Sequence, residues 1–304
     1  MMSIVTVVYS EEMLLWELQA KSIKKFADLT KLDKVVIVIN ERDDHILENY
    51  VDSIVKFYFS DFIEKIKIVF ASHYIESKDE ILGWRSQQLI KIKASLECDS
   101  DYILILDAKN HFIKPFSIFS FMDENAGLIY SHHEGRGAMD KFLIPSLGAF
   151  GVVDEGIENI LPCTTPYFIR REIIINMVLE LQEIQNCSFE EYFLKKNRMC
   201  TEFFLIYAFL LKNNFLDRYF KISKELQCVT LFGIWPDTKE KVDWAFSRVS
   251  DPSTVCFGIH RLRFKNMSSD IQCRIVKVLT DSGLMDSDDE ADLFINKLKF
   301  LSIK

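Results

Sequence analysis

Five consecutive apolar residues, Tyr102-Ile103-Leu104-Ile105-Leu106, stop abruptly at a carboxylate, Asp107. A run this short, rich in β-forming residues and without polar alternation, fits a central strand buried on both faces. Such a strand needs covering elements above and below it. Asp107 then falls at the carboxyl end of the strand, outside which open α/β sheets bind their ligands. Asp is also a frequent first residue of turns, so this stretch alone leaves both readings open.

The residues upstream repeat the theme. Ile4 to Tyr9, Lys34 to Ile39 and Ile66 to Phe70 are short apolar runs. Between the first two, Leu14, Leu15, Leu18, Ile23 and Phe26 recur at helical spacing, with Ser10 as predicted N-cap and Glu11 and Glu12 at the positive end of the helix dipole. Residues 46–59 are less regular, and Asp79 to Glu97 predicts a helix with a polar stripe. Four strands alternating with helices before residue 110 predict a parallel or mixed sheet with helices on its faces. Downstream, Gly127 to Tyr130 and Val255 to Ile259 read as strands, and residues 132–137 as a polar loop. Leu143 to Val153, with Pro145, Gly148 and Gly151, reads as loop or irregular strand. Arg171 to Gln185 is amphipathic, Thr201 is the predicted N-cap of a strongly apolar helix, and residues 267–304 read as helical tail.

Composition removes several classes of function. The chain of 304 residues is long enough for a substantial core. No stretch reaches the roughly 18 uninterrupted apolar residues of a membrane span. The N-terminus lacks a basic n-region and reads as a first strand instead of a signal peptide. Seven Cys, odd in number and never in a C-x-x-C pair, predict reduced thiols in a cytoplasmic protein and no structural zinc site. A net charge of −8 without basic runs argues against nucleic-acid binding. The turn after the first strand, Tyr9-Ser10-Glu11-Glu12, has neither the glycines of a dinucleotide fingerprint nor those of a P-loop. The acidic cluster Asp286, Asp288, Asp289, Glu290 and Asp292 is read as a solvated helix start.

Four pieces, in order, carry a resemblance: Gly83-Trp84-Arg85-Ser86-Gln87-Gln88-Leu89-Ile90-Lys91; the stretch from Leu106 to Phe116; Thr164-Thr165-Pro166-Tyr167; and Glu202 with Tyr207, followed by a late His260. Together they resemble a family of bacterial glycosyltransferase-like proteins with the GT-A fold, a Rossmann-type mixed sheet flanked by helices. The resemblance implies a nucleotide-sugar transferase domain over residues 1–265 and a helical C-terminal extension, 266–304, packed on it. It also implies transfer of a sugar from a nucleotide-sugar donor to a hydroxyl of a cell-surface glycan or lipid-linked saccharide, as in capsule or lipopolysaccharide biosynthesis. The location would be cytoplasmic, with the Phe-rich surface a route to peripheral contact with the inner membrane.

The spacing supports particular roles. Trp84, Gln88 and Lys91 share one helix face, where an aromatic, an amide and an ammonium can meet a base, hydroxyls and a phosphate. The same pattern also describes an ordinary amphipathic helix. By resemblance, Asn40, Trp84, Gln88, Lys91 and Asp107 bind the donor, and Thr165, Pro166 and Glu202 face the acceptor. Glu202 is a candidate general base, although a carboxylate at a helix start also simply complements the dipole. Arg136 and Arg261 are candidate phosphate partners.

The sequence departs from the family at one informative place. GT-A enzymes carry Asp-x-Asp where this chain has Asp107-Ala108-Lys109. Either Asp107 and His260 hold Mn²⁺ or Mg²⁺ against the diphosphate, or Lys109 itself neutralises the leaving group and no metal is needed. His111 is a spare ligand. The missing second Asp also supports a rival reading, a catalytically inactive nucleotide-sugar-binding or scaffold protein on the same fold.

Overall fold

The computed structural model describes residues 1–43, 45, 47–76 and 83–303. Its main sheet has four parallel strands, β1 (Met2–Val8), β2 (Leu32–Ile39), β3 (Ile66–Phe70) and β4 (Tyr102–Asp107), plus an antiparallel edge strand, Tyr167–Arg170. The spatial order is β3-β2-β1-β4-edge. β1 therefore has its sequence neighbour β2 on one side and β4 on the other. This reversal of strand order opens a crevice at the carboxyl ends of β1 and β4. Val7 is the register partner of Asp107 there.

The apolar run in β4 is apolar because both of its faces are covered. Ile103, Leu104, Ile105 and Leu106 have no exposed surface, and each such side chain contributes about 1.5–3 kcal/mol by leaving water. Helices α1 (Met13–Phe26), α2 (Glu48–Tyr58) and α3 (Trp84–Leu96) supply cover between the strands. Residues 79–82 of the predicted 79–97 helix lie outside the described residues, and the rest forms α3 as expected.

A smaller sheet completes the crevice. The strand Asn110–Phe112 pairs antiparallel with Cys256–Ile259, which pairs in parallel with Cys228–Leu231. The Ile259 N–H bonds the Lys109 carbonyl at 3.1 Å, which brings His260 beside Lys109. The turn from β4 is locked from several sides. Asn110 Oδ1 accepts from the Asp107 N–H at 3.0 Å, its amide nitrogen donates to the Thr165 carbonyl at 3.2 Å, and Gln19 Nε2 donates to the carbonyls of Asp107 and Asn110.

Several local expectations are corrected. Residues within 143–153 are helical, in α4 (Asp140–Ala149), with Pro145 inside. An interior Pro costs a helix about 3 kcal/mol, but Leu143 and Leu147 are buried against the helix Glu202–Lys212, and that packing outweighs the lost bond. Ser10 does not cap α1; it opens a short 3-10 turn, Ser10–Glu12, which carries Glu12 into a buried position. Residues 48–58, read as less regular, form α2. Glu134–Gly135, read as loop, pairs with Asn159–Ile160. By contrast α5 (Arg171–Gln185) has the predicted bounds, and Thr201 caps its helix by accepting from the Phe204 N–H.

The last two helices, Ser269–Asp281 and Asp288–Ile303, pack on each other. Lys25 Nζ donates to the Gly283 carbonyl at 2.5 Å, and Arg274 pairs with Asp243 at 2.6 Å, so these helices touch both α1 and the helix Lys239–Val249. Asp288, Asp289 and Glu290 form the first turn of the final helix, where they complement its dipole. Among the described residues, no helix is long and apolar enough to cross a membrane.

Candidate active site

The crevice at the β1–β4 reversal is a cleft of about 900 Å³. Asn40, Trp84, Lys91, Asp107, Lys109, Thr165, Glu202 and His260 line it. Gln88 and Pro166 do not. Gln88 is buried one layer behind, and Pro166 faces a neighbouring cavity.

Asp107 is the hub. Lys91 Nζ lies 2.5 Å from its Oδ1, and Lys109 Nζ donates to its Oδ2. Thr165 Oγ1 donates to the same Oδ2 at 2.8 Å and accepts from Lys109 at 3.2 Å. Burial acts to raise the Asp107 carboxyl, but the ammoniums of Lys109 and Lys91 overcome it and hold the group well below the usual carboxylate range. Both ammoniums are themselves buried. Burial disfavours the charge on Lys91, and Asp107 and Glu202 restore it, leaving its affinity for the proton above normal.

Glu202 is the second carboxylate. Its Oε1 lies 3.7 Å from Lys91 Nζ. With the Gln88 amide nitrogen donating to Glu202 Oε2 at 2.8 Å, the amide oxygen accepts from Trp84 Nε1 at 3.1 Å. Trp84, Gln88 and Lys91 thus act along one helix face, as their spacing predicts, although only the first and last meet the cleft. Burial pushes the Glu202 carboxyl up to about 7, with Lys91 opposing. The Thr201 cap aims the first turn of this helix at the cleft.

Sequence reasoning missed three residues that follow the first two strands. Tyr9, Glu12 and Glu41 line the same cleft. Burial, then the nearby Asp107, raises the Glu12 carboxyl, and Tyr9 donates to it. Glu41 Oε1 accepts from the Ser10 N–H at 2.7 Å. Asn40 keeps a buried side-chain oxygen without a partner. The available signal is a pair of carboxylates where other nucleotide folds place glycines, a pattern that dipole complement alone also explains. Arg261 lines the cleft, paired with Glu11 at 2.8 Å. Arg136 does not; Asp154 and Asp140 hold it elsewhere. His111 is fully buried edge-on to Phe257, away from the cleft lining.

The donor set does not fit a divalent cation. Both Asp107 oxygens are occupied by ammoniums and a hydroxyl. His260 Nδ1 is taken up by the Leu262 N–H at 3.2 Å. Among the described residues, no group of three or more His, Cys, Asp or Glu has ligand geometry.

This is the GT-A fold, a mixed sheet flanked by helices. The bifunctional glycosyltransferase WbbM superposes with a TM-score of 0.53 at 9% identity, over 98% of this chain and 52% of WbbM, so the chain spans about half of that protein. The galactosyltransferase LgtC, solved with donor and acceptor sugar analogues, gives 0.47 at 9% identity over 99% of this chain and 95% of LgtC. The glycosyltransferase GlyE of Streptococcus pneumoniae TIGR4 gives 0.49 at 14% identity, over 98% and 63%. By sequence the chain belongs to a family of unknown function, DUF6492, whose profile matches residues 2–251. No curated protein matches it.

Proposed function

We propose that this chain is a glycosyltransferase that moves a sugar from a nucleotide-sugar donor to a hydroxyl of a glycan acceptor, without a metal ion. The observation that carries the reading is the convergence of two buried ammoniums, Lys91 and Lys109, on one ionised carboxylate at the sheet reversal. Together Lys91, Lys109 and Asp107 carry one net positive charge in a buried cleft. That charge stands where a leaving diphosphate would develop negative charge.

The donor nucleotide would lie over the carboxyl ends of β1 and β2, where Tyr9, Asn40 and Glu41 stand and the orphaned Asn40 oxygen can accept a hydrogen bond. Its diphosphate would meet Lys109 and Lys91. Asp107 keeps both ammoniums charged and oriented. The bond from the anomeric carbon to the diphosphate oxygen breaks, and its electron pair leaves with that oxygen. A new bond forms between the anomeric carbon and the acceptor oxygen, and the acceptor proton passes to Glu202. An acceptor held by Thr165 and Pro166 would be a cell-surface glycan or lipid-linked saccharide, which the sequence resemblance supports.

A thermal-shift screen of nucleotide-sugars, followed by a donor-turnover assay, tests this. A shift with turnover in the presence of chelator is the expected result. Binding without turnover on any acceptor would favour an inactive binding protein, and no shift with any nucleotide or nucleotide-sugar would remove the reading.

A further inference from the structure

A second cavity of about 1060 Å³ adjoins the cleft. Glu134, Thr164, Thr165 and Phe232 line both spaces, so they meet where Thr165 is held by Asp107 and Lys109. Its volume lies just above the range of about 300–1,000 Å³ typical of small-molecule sites.

The lining has two chemical characters. Phe232, Trp235 and Trp244 are successive neighbours, with ring centroids 6.4 Å and 5.9 Å apart and ring planes inclined by 60° and 74°. Trp244 is 47% exposed, an arrangement that leaves aromatic surface open to an occupant. The second character is unsatisfied polarity. Tyr167, only 6% exposed, has a buried hydroxyl without a partner, and Arg248 Nε is likewise buried and unpaired. Both residues line this cavity. Buried polar atoms are normally satisfied, so two orphans among the lining residues call for a partner that brings its own donors and acceptors.

A carbohydrate brings both. Its C–H face packs on aromatic rings, and its rim of hydroxyls donates and accepts. A cavity of about 1060 Å³ has room for more than one sugar ring, so it suits a chain of rings.

We propose that the second cavity binds the non-reacting rings of an extended oligosaccharide acceptor, with Phe232, Trp235 and Trp244 as the stacking surface and the Tyr167 hydroxyl as a hydrogen-bonding anchor. The proposal rests on the transferase reading, which puts the reacting end of the acceptor at Glu202. From there the glycan passes the shared wall at Thr164 and Thr165 and enters the second cavity, where the aromatic side chains meet it.

The test is an array of bacterial surface glycans, printed as mono-, di- and longer oligosaccharides and probed with the full chain. Binding is expected only for glycans of three or more rings. Trp244→Ala and Tyr167→Phe should each weaken it tenfold or more, while the thermal shift given by nucleotide-sugars stays that of the unsubstituted chain. Tyr167→Phe keeps the ring that stacks on Phe203 at 4.0 Å, so it tests the hydroxyl without emptying the core. Binding of single sugars as strong as of long ones, binding indifferent to both substitutions, or no glycan binding at all overturns the proposal. The donor thermal shift is read separately. Its absence sinks the transferase reading, and its presence without substitution-sensitive glycan binding sinks this one.

Discussion

Lys91 Nζ stands 2.5 Å from Asp107 Oδ1, although the two residues come from different elements, a helix and the strand that follows it. With Lys109 on the other oxygen, one carboxylate serves two buried ammoniums. Removing either type of charge has distinct consequences.

Asp107→Asn leaves both ammoniums buried with no anionic partner on the strand. Breaking a buried ion pair from one side typically costs about 3–5 kcal/mol. Urea denaturation should show a loss of that order, and sugar transfer should vanish. A loss under about 1 kcal/mol would mean that the pairs are not coupled as they stand.

Lys109→Ala removes one charge facing the leaving diphosphate. Transfer should fall by about 10²–10³ in kcat, the usual cost of deleting one donor to a developing anion. Chelator should leave the unsubstituted protein unaffected. Retained activity in the variant, abolished by chelator, would mean that a metal, and not the ammoniums, neutralises the diphosphate.

Glu202 gives two opposite pH dependences. Its carboxyl is raised to about 7 from the ordinary value of 4.5, so the folded chain holds this proton more tightly than the unfolded chain. Its contribution to stability is complete below pH 4.5 and is lost as pH rises through about 7. As the base it acts only when deprotonated, so kcat/KM should rise across the same range. Glu202→Gln should abolish transfer and flatten that part of the stability profile; an unchanged acid limb of the remaining activity would exclude Glu202 as its source.

Gly258→Ala tests the support beneath the hub. A Cβ at this position would stand 2.6 Å from Thr230 Oγ1 and 3.1 Å from Asn110 Nδ2. Asn110 fixes the Asp107 turn, so the intrusion should cost about 1–3 kcal/mol and lower kcat through the displaced turn. A variant of unchanged stability and activity would show that the turn does not depend on this contact.

Much of the site is legible in the sequence because its parts are local patterns. The β4 run announces a buried strand through composition alone, and Asp107 follows as its end. Trp84, Gln88 and Lys91 are legible as one face because helical spacing is a property of three to seven residues. Thr201 is legible as a cap for the same reason. Pro145 misleads because a local rule, that Pro breaks helices, is overridden by the burial of Leu143 and Leu147 against a helix some sixty residues on. Glu12 escapes a sequence reading because Asp107, the charge beside it, is brought near only by the pairing of β1 with β4.

The sequence by itself determined the alternation of strands and helices, the position of Asp107 at a strand end and the replacement of a second carboxylate by Lys109. These follow from periodicity and residue type, which need no knowledge of distant neighbours. Only the tertiary structure decided what Asp107 meets. The strand order placed β4 beside β1, α3 brought Lys91 to one oxygen, and the loop before the edge strand brought Thr165 to the other. The physical reason is that the electrostatics of a buried carboxylate depend on through-space distance and on exclusion of water, and chain separation encodes neither.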